Sequence, residues 1–552
     1  MTQDLEATTE AMFPRLGAAA IERLLRFGRR RSARPGEILF EVGEPARSLF
    51  VLLEGRIEVV SPRPEGELII RSLEPGEFTG EVATLLGRPA LARARAASDC
   101  EVIELDHAQL RRILDTDAEV GEVFMRAFAQ RRAALVARGL GDAVLIGSKH
   151  SADSLRLREF ITRTGHPFTY LDVDRDRGVQ ELLDHFHVGT AEIPVLLQCR
   201  HPALRNPSNA EVADALGFNP VLAEKDVHDL VVVGAGPAGL AAAVYGASEG
   251  LDVLVVDSSA PGGQAGSSSR IENYLGFPDG ISGQDLTQRA LLQAQKFGAQ
   301  VAVARQVRRL SCGRRPFAVE LANGTRAYGR SFLIATGAAY RRPACGRLAS
   351  FEGRGVYYGA THVEAQVCGG EEVAIVGAGN SAGQATVFLA AHARQIHVLV
   401  RGEGLTDNMS RYLIARIESA PNVTLRSRTE VIEVDGGDYL ERVTWRDART
   451  SRTETRDVRH LFLMTGAVPN TAWLERCVQL DEKGFVKTGR DLSAEELATG
   501  QWPLRRPPYP LETSIPGVFA VGDVRSGSVK RVASAVGEGS IAVQFVHAFL
   551  AE

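Results

Sequence analysis

Two segments of this sequence share one plan: an apolar strand, a glycine-rich turn, an alanine-rich helix and a second apolar strand. The first is DLVVVGAGPAGLAAAVYGASEGLDVLVVD, with Gly234, Gly236 and Gly239 in the turn and Asp257 closing the second strand. The second is EEVAIVGAGNSAGQATVFLAAHARQIHVLVR, with Gly377, Gly379 and Ala382 in the turn and Arg401 at the matching end. Few folds accept such a plan. The first glycine makes the tight turn, the second lets backbone N–H groups approach a pyrophosphate, and the third small residue packs helix against strand. One such turn is a weak signal. Two in full βαβ context predict two dinucleotide sites.

The strand-end charges separate the two ligands. A carboxylate there accepts hydrogen bonds from ribose hydroxyls, whereas an arginine suits a 2′-phosphate. Asp257 therefore points to an adenosine ribose without a phosphate, and Arg401 favours NADPH, against the alternative of a solvated strand-end charge.

Further motifs extend the pattern over residues 227–552. GGQ (Gly262, Gly263, Gln264), ENYLGFP (Glu272 to Pro278, with Asn273), ATG (Ala335, Thr336, Gly337), TG (Thr465, Gly466) and GVFAVGDV (Gly517 to Val524) follow in order, and KRVASAVGEGSIA comes last. In this order they resemble the thioredoxin-reductase-like flavoproteins. The resemblance implies an FAD domain split at 227–343 and 467–552, with an NADPH domain, 344–466, inserted between the halves. It implies that Gly234, Gly236, Pro237, Ala238, Gly239, Asp257, Gly263, Gln264, Asn273, Thr336, Gly337 and Gly522 line the FAD site. Asp523 would hold the ribityl chain, and Arg531, Val532 and Ala533 would approach the isoalloxazine. Gly377, Gly379, Asn380, Ser381, Ala382 and Arg401 would hold NADPH. The family carries HRR at the phosphate position where this chain has Val400–Arg401–Gly402, so the grip is weaker unless Arg411 joins it, and NADH use stays open. The resemblance also implies a homodimer, and rotation of the inserted domain about Arg342–Pro343 and Gly466–Ala467.

One departure bears on the chemistry. The family's disulfide reductases carry CATC ahead of the second fingerprint, where this chain reads GVYYGATHVEAQVCGG, with Gly359 and His362 at the two cysteine positions. A dithiol relay needs paired thiols with Cβ atoms roughly 4 Å apart, one of them lowered in pKa. The six cysteines, Cys100, Cys199, Cys312, Cys345, Cys368 and Cys477, include no CxxC, so neither a local redox pair nor a zinc ribbon is encoded. Buried free thiols are the default expectation, with a Cys345–Cys368 pair as the alternative. Sparse cysteines fit a reducing cytoplasm. His362 is either a proton carrier beside the flavin or a packed imidazole.

Residues 1–140 read as a separate β-barrel or jelly roll followed by helices. This part resembles a cyclic-nucleotide-binding domain, with Gly36, Gly43, Gly55, Gly80 and Glu81 at the hallmark positions. The phosphate-binding arginine of such domains is replaced by Ala90, with Arg93 and Arg95 nearby, so cyclic-nucleotide binding is not expected. Residues 143–222 resemble a thioredoxin or glutaredoxin fold, with Ile193–Pro194 at its proline turn, but the active-site loop SKHSADSL holds no cysteine. The stretch 490–512, RDLSAEELATGQWPLRRPPYPLE, is an insertion relative to the family, either an acceptor-docking loop or a surface elaboration.

The whole is a multidomain α/β chain, with a barrel, a thioredoxin-like unit and two Rossmann-like (three-layer ββα) domains. At 552 residues and 44% hydrophobic content it has enough apolar material for several cores. A formal charge of −4 gives no nucleic-acid surface, no apolar run is long enough to span a membrane, and no secretory leader is evident, so a cytoplasmic location is expected. The expected activity is NADPH oxidation through FAD to a non-disulfide acceptor, which is a carrier protein, a quinone-like molecule or oxygen. The alternatives are a disulfide reductase using distant or partner cysteines, and an FAD-bound redox or nucleotide sensor.

Overall fold

The computed structural model describes residues 12–552 apart from 45–47, 64–65, 81–83, 85–89, 138–142, 176–178, 180–182, 184–188, 190–191, 199–201, 224–225, 269, 314, 342, 344, 361, 407–408, 475–476 and 500–501. The chain forms two compact units, residues 1–148 with 165–218, and residues 149–164 with 219–552.

The first unit opens with two four-stranded antiparallel sheets. One orders the strands Arg29–Ala33, Cys100–Asp106, Ser48–Glu54 and Phe78–Thr79, and the other orders Ile38–Phe40, Arg93–Ala96, Ile57–Arg63 and Gly66–Leu73. Period-two alternation sends Ala94 and Ala96 inward to join Phe50, Leu52, Ile57, Leu73 and Val102 in one core, while Arg93 and Arg95 share the other face. The helix His107–Thr116 begins with a capping box formed by Asp106 and Gln109. In 143–218 a third sheet orders Phe168–Asp172, Ala143–Gly147, Val195–Gln198 and Leu204–Arg205, the first pair parallel and the others antiparallel. A parallel pair needs a crossover; here it is the helix Ala152–Thr164, which clusters with the second unit. The Ile193–Pro194 peptide is cis.

In the second unit a seven-stranded sheet carries the first fingerprint. Its parallel part runs Gln300–Ala302, Val253–Val256, Val227–Val233, Arg326–Ile334 and Val518–Ala520. Beyond Val227–Val233, Arg326–Ile334 serves two further partners on its other edge. Its first half pairs antiparallel with Phe317–Leu321, and Phe332 to Ile334 pair with Val518–Ala520, which brings the chain back after residue 467. The second fingerprint lies in a five-stranded parallel sheet ordered Val356–Tyr357, His460–Leu463, Glu372–Val376, Gln395–Leu399 and Val423–Arg426. A short antiparallel pair, Ala338–Tyr340 with Ala467–Pro469, links the two sheets' segments. Near-continuous apolar strands such as LVVV and VLVV suit sheets covered on both faces. No helix among the described residues is long and apolar enough to cross a membrane.

The insertion at 490–512 is anchored by charge. Glu512 is fully buried and accepts from Arg506 at 2.7 and 3.2 Å, from the Gly517 N–H at 2.8 Å and from the Tyr509 N–H at 2.9 Å. Arg506 also reaches Glu552 and lies 3.9 Å from the Tyr509 ring centroid. The proline-rich loop is thereby held against the C-terminal helix end.

The cysteines depart from the sequence expectation. Cys312 and Cys477 form a disulfide with Cα atoms 6.2 Å apart, joining the two halves of the split sheet segment, so for these two the free-thiol expectation is corrected. No local pattern signals this pair, because 165 residues separate its members. Cys345 and Cys368 are free and pack into different hydrophobic clusters. Burial pushes the Cys368 thiol up to about 11, which suits an inert core residue. Cys100 is a buried free thiol, and Cys199 lies outside the described residues.

Candidate functional site

The first glycine turn is built as its sequence requires. Gly234 has φ of 110°, and a Cβ there would stand 2.3 Å from the Ala335 carbonyl oxygen. A Cβ on Gly239 would meet the Gly234 carbonyl oxygen at 1.8 Å, so only glycine lets the helix approach this closely. Gly236 is the N-cap of the helix Pro237–Ser248, with Pro237 in its first turn. A Cβ there would have only the Gly263 Cα, 3.9 Å away, as a neighbour. The backbone N–H groups at this helix start are those a pyrophosphate would approach.

Asp257 lies at the end of Val253–Val256 and accepts from the Ala235 N–H at 2.6 Å and the Ser259 N–H at 2.8 Å, one bond to each oxygen. Each carboxylate oxygen keeps a second lone pair for a ribose hydroxyl. The GGQ loop closes over the turn: the Gly262 N–H donates to the Ala235 carbonyl at 2.7 Å, and a Cβ on Gly263 would stand 3.2 Å from Gly236 Cα. The Gln264 amide donates to the Ala338 carbonyl.

The returning half of the chain completes this wall. Gly522 has φ of 73° and packs against Ala238, and its N–H donates to Glu538 at 2.6 Å. Glu538 is itself paired with Arg525 at 2.6 Å. Burial pushes the neighbouring Asp523 carboxyl up, against the opposing pull of the Lys530 ammonium. Arg531 caps the helix Val532–Leu550, so Arg531, Val532 and Ala533 stand at a helix start beside the same turn, and a Cβ on Gly539 would meet the Ala238 carbonyl at 2.2 Å. Thr336 and Gly337 are tied to this half by Asn470, whose side-chain amide donates to the Thr336 carbonyl at 2.8 Å while its carbonyl accepts from the Thr336 hydroxyl at 2.9 Å. Asn273 lies in the segment 272–278, away from these contacts, next to the exposed Leu275. Asn470 and Glu538 were not singled out from the sequence. Asn470 acts across 134 residues of chain, whereas Glu538 sits inside KRVASAVGEGSIA and acts on Gly522 of the motif before it.

The second turn follows the same rules. A Cβ on Gly377 would meet the Met464 carbonyl oxygen at 2.5 Å, Gly379 caps the helix Asn380–Leu389, and Ala382 is fully buried. The Asn380 side chain accepts from the Ser410 N–H and hydroxyl, both at 2.8 Å. That docks the start of the helix Arg411–Ser419 on the fingerprint and brings Arg411 to the same rim as Ser381. Arg401 and Arg411 are both exposed, and neither makes a side-chain ion pair among the described residues.

Gly359 and Ala360, in the stretch where the family pattern has its dithiol, lie against the residues that follow the GGQ loop. Ala360 forms a parallel bridge with Ser268, and a Cβ on Gly359 would stand 3.3 Å from the Ser267 side chain. His362 opens the helix His362–Val367, and its side chain lies outside the described residues. In the N-terminal barrel, Ala90 is buried, while Glu81 lies outside the described residues. Arg93 is held by Glu41 at 2.9 Å and by Glu67, and Arg95 by Glu58 at 2.9 Å and Glu67 at 2.6 Å. Three carboxylates against two guanidiniums leave this face without spare positive charge.

Known proteins share this arrangement. Residues 228–539 match the family model described as pyridine nucleotide-disulphide oxidoreductase, and residues 30–117 match the cyclic nucleotide-binding domain. The NADPH-dependent thioredoxin reductase 3 of Arabidopsis thaliana is 31% identical over 331 residues, which is 59% of this chain and 58% of that protein. The thioredoxin reductase of Ureaplasma parvum is 28% identical over 334 residues, covering 98% of its length. The crystal structure of T. acidophilum thioredoxin reductase aligns at TM-score 0.52 and 25% identity over 59% of this chain and 99% of that one. The family model spans more than half of the residues, and these relatives align over the same share of them: the chain belongs to the pyridine nucleotide-disulphide oxidoreductase family, as a thioredoxin-reductase-like flavin oxidoreductase whose family cofactors are FAD and NADPH, with a cyclic nucleotide-binding domain ahead of it.

Proposed function

We propose that this protein oxidises NADPH through FAD and delivers the electrons to an acceptor that meets the flavin directly, without a protein dithiol between them. The observation that carries this reading is the segment 357–362. Its Gly359 and Ala360 pack on Ser267 and Ser268, which follow the GGQ loop, and its sequence has Gly359 and His362 where a thiol relay needs two cysteines.

FAD, when bound, supplies the two-electron chemistry and takes hydride from the nicotinamide. The chain's own residues bind and orient. The helix start at Gly236–Ala238 suits the pyrophosphate, and Asp257 suits the adenosine ribose. Asp523, Arg531, Val532 and Ala533 would flank the ribityl chain and ring. Arg401 and Arg411, exposed at the second turn, would take the 2′-phosphate of NADPH. The N-terminal domain takes no cyclic nucleotide, because Arg93 and Arg95 are already neutralised by Glu41, Glu58 and Glu67.

A second reading has an observation of its own. The Cys312–Cys477 disulfide would give a thiol route if it exchanged electrons with the flavin. It packs, half-buried, against the cluster containing Leu310, Phe317 and Val478. Alkylation of NADPH-reduced enzyme separates the two readings. Dye-linked and acceptor-linked turnover persist under the first, whereas loss of acceptor reduction with intact flavin reduction favours the second.

A further inference from the structure

The helix Ala152–Thr164 comes from the thioredoxin-like segment, yet its C-terminal end lies at the first glycine turn. Gly262 and Gly263 both have positive φ, 105° and 53°, and this double reversal turns several carbonyl groups of the loop to one side. Arg163 meets them: its Nη2 donates to Ala260 at 3.2 Å, to Pro261 at 3.2 Å and to Gly263 at 2.9 Å. Its side chain is 15% exposed. Converging carbonyl dipoles repel one another, and the two N–H groups of this one charged nitrogen are shared among the three oxygens. The other side of the same loop closes on the pyrophosphate turn through the Gly262–Ala235 hydrogen bond and the Gly263–Gly236 approach. The helix is held there by Gln284 and Gln288, whose amides donate to the Thr162 carbonyl at 3.2 and 3.4 Å, satisfying an end-of-helix acceptor.

We infer that Arg163 is a positioning residue for FAD: it fixes the loop 260–263 against the glycine turn, so that the degenerate thioredoxin-like segment contributes a structural wall of the flavin site. Without the guanidinium three carbonyl oxygens converge with no donor, and the loop relaxes away from Gly236. This inference rests on the FAD reading above and adds the residue outside the flavin domain on which retention of the cofactor depends.

The test measures FAD dissociation from the full-length protein, by flavin fluorescence on reconstitution of the deflavinated chain, together with thermal unfolding of the deflavinated chain. Arg163→Ala is expected to weaken FAD at least tenfold while the cofactor-free unfolding midpoint stays near wild type. Arg163→Lys, which restores charge and donors without the fork, should recover part of the affinity. Gln288→Ala, which removes a helix-docking bond without touching the loop, should bind FAD like wild type. Unchanged FAD affinity in Arg163→Ala overturns the inference, as does a lysine variant no better than alanine. Equal losses in Arg163→Ala and Gln288→Ala also overturn it, since helix docking alone would then explain the effect. A wild-type chain that takes up no FAD overturns the cofactor reading itself, and this inference with it.

Discussion

Arg401→Ala tests how the second glycine turn chooses its nucleotide. Arg401 is exposed at the end of the Gln395–Leu399 strand and has no ion-pair partner among the described residues, so its removal leaves no buried group unsatisfied. The substitution should therefore leave the unfolding midpoint unchanged. Its effect falls on the ligand. A hydrogen bond to a charged group contributes roughly 1.5–3 kcal/mol, and solvent exposure puts this contact at the lower end. About 1.5 kcal/mol corresponds to roughly a tenfold rise in the KM for NADPH, with NADH unaffected because it lacks the phosphate. Arg411 reaches the same rim through Ser410 and Asn380, so Arg411→Ala should act in the same direction. The double variant should lose less than the sum, because two guanidiniums share one phosphate. Raising the salt concentration should shrink the wild-type preference toward that of Arg401→Ala. Steady-state dye reduction with each nucleotide reads all of this. Equal KM changes for NADPH and NADH, or a preference indifferent to salt, would refute the assignment.

Three further outcomes follow from specific contacts. Burial raises the Asp523 carboxyl, so its ionised form costs folded-state stability above the folded pKa and nothing below the unfolded one. Asp523→Asn should accordingly raise the unfolding midpoint of the deflavinated protein at pH 7 but not near pH 3, while weakening FAD; a gain independent of pH would contradict this. Glu512→Gln should lower stability by about 3 kcal/mol in urea titration, because it leaves Arg506 facing an uncharged buried partner, and a change within error would show that the insertion is held by other contacts. Calorimetry with cyclic AMP or cyclic GMP should detect no binding, and a dissociation constant below about 10 μM, near −7 kcal/mol, would mean that a ligand displaces Glu41 or Glu67 from Arg93.

The two glycine turns were fully legible in the sequence, because Gly234, Gly239 and Gly377 meet steric demands set within a few residues of each other or by an adjacent strand. Arg401 and Arg411 were legible as charges, but the Asn380–Ser410 bond that brings Arg411 to the turn was not. The disulfide was missed for a topological reason. Cys312 and Cys477 become neighbours only because the sheet accepts Val518–Ala520 and its preceding segment after a long excursion of the chain. Arg163 was missed similarly: nothing around it in LREFITRTG marks a residue whose partners are the carbonyls at 260–263. In the insertion, the sequence left docking loop and surface elaboration open, and the Arg506–Glu512–Glu552 network gives it an anchor. Arg93 and Arg95 stand in the sequence only as neighbours of the missing phosphate arginine, and in the fold three acids from separate strands and turns converge on them.

Anaerobic titration with NADPH, counting electrons per FAD and titratable thiols at the end point, tests the absence of a protein thiol from the electron path. Two electrons per FAD, with no increase in thiols, is the result predicted for a flavin that passes its electrons straight to the acceptor. Four electrons per FAD, with two new thiols that vanish in Cys312→Ser, would put the Cys312–Cys477 disulfide on the path and contradict the account.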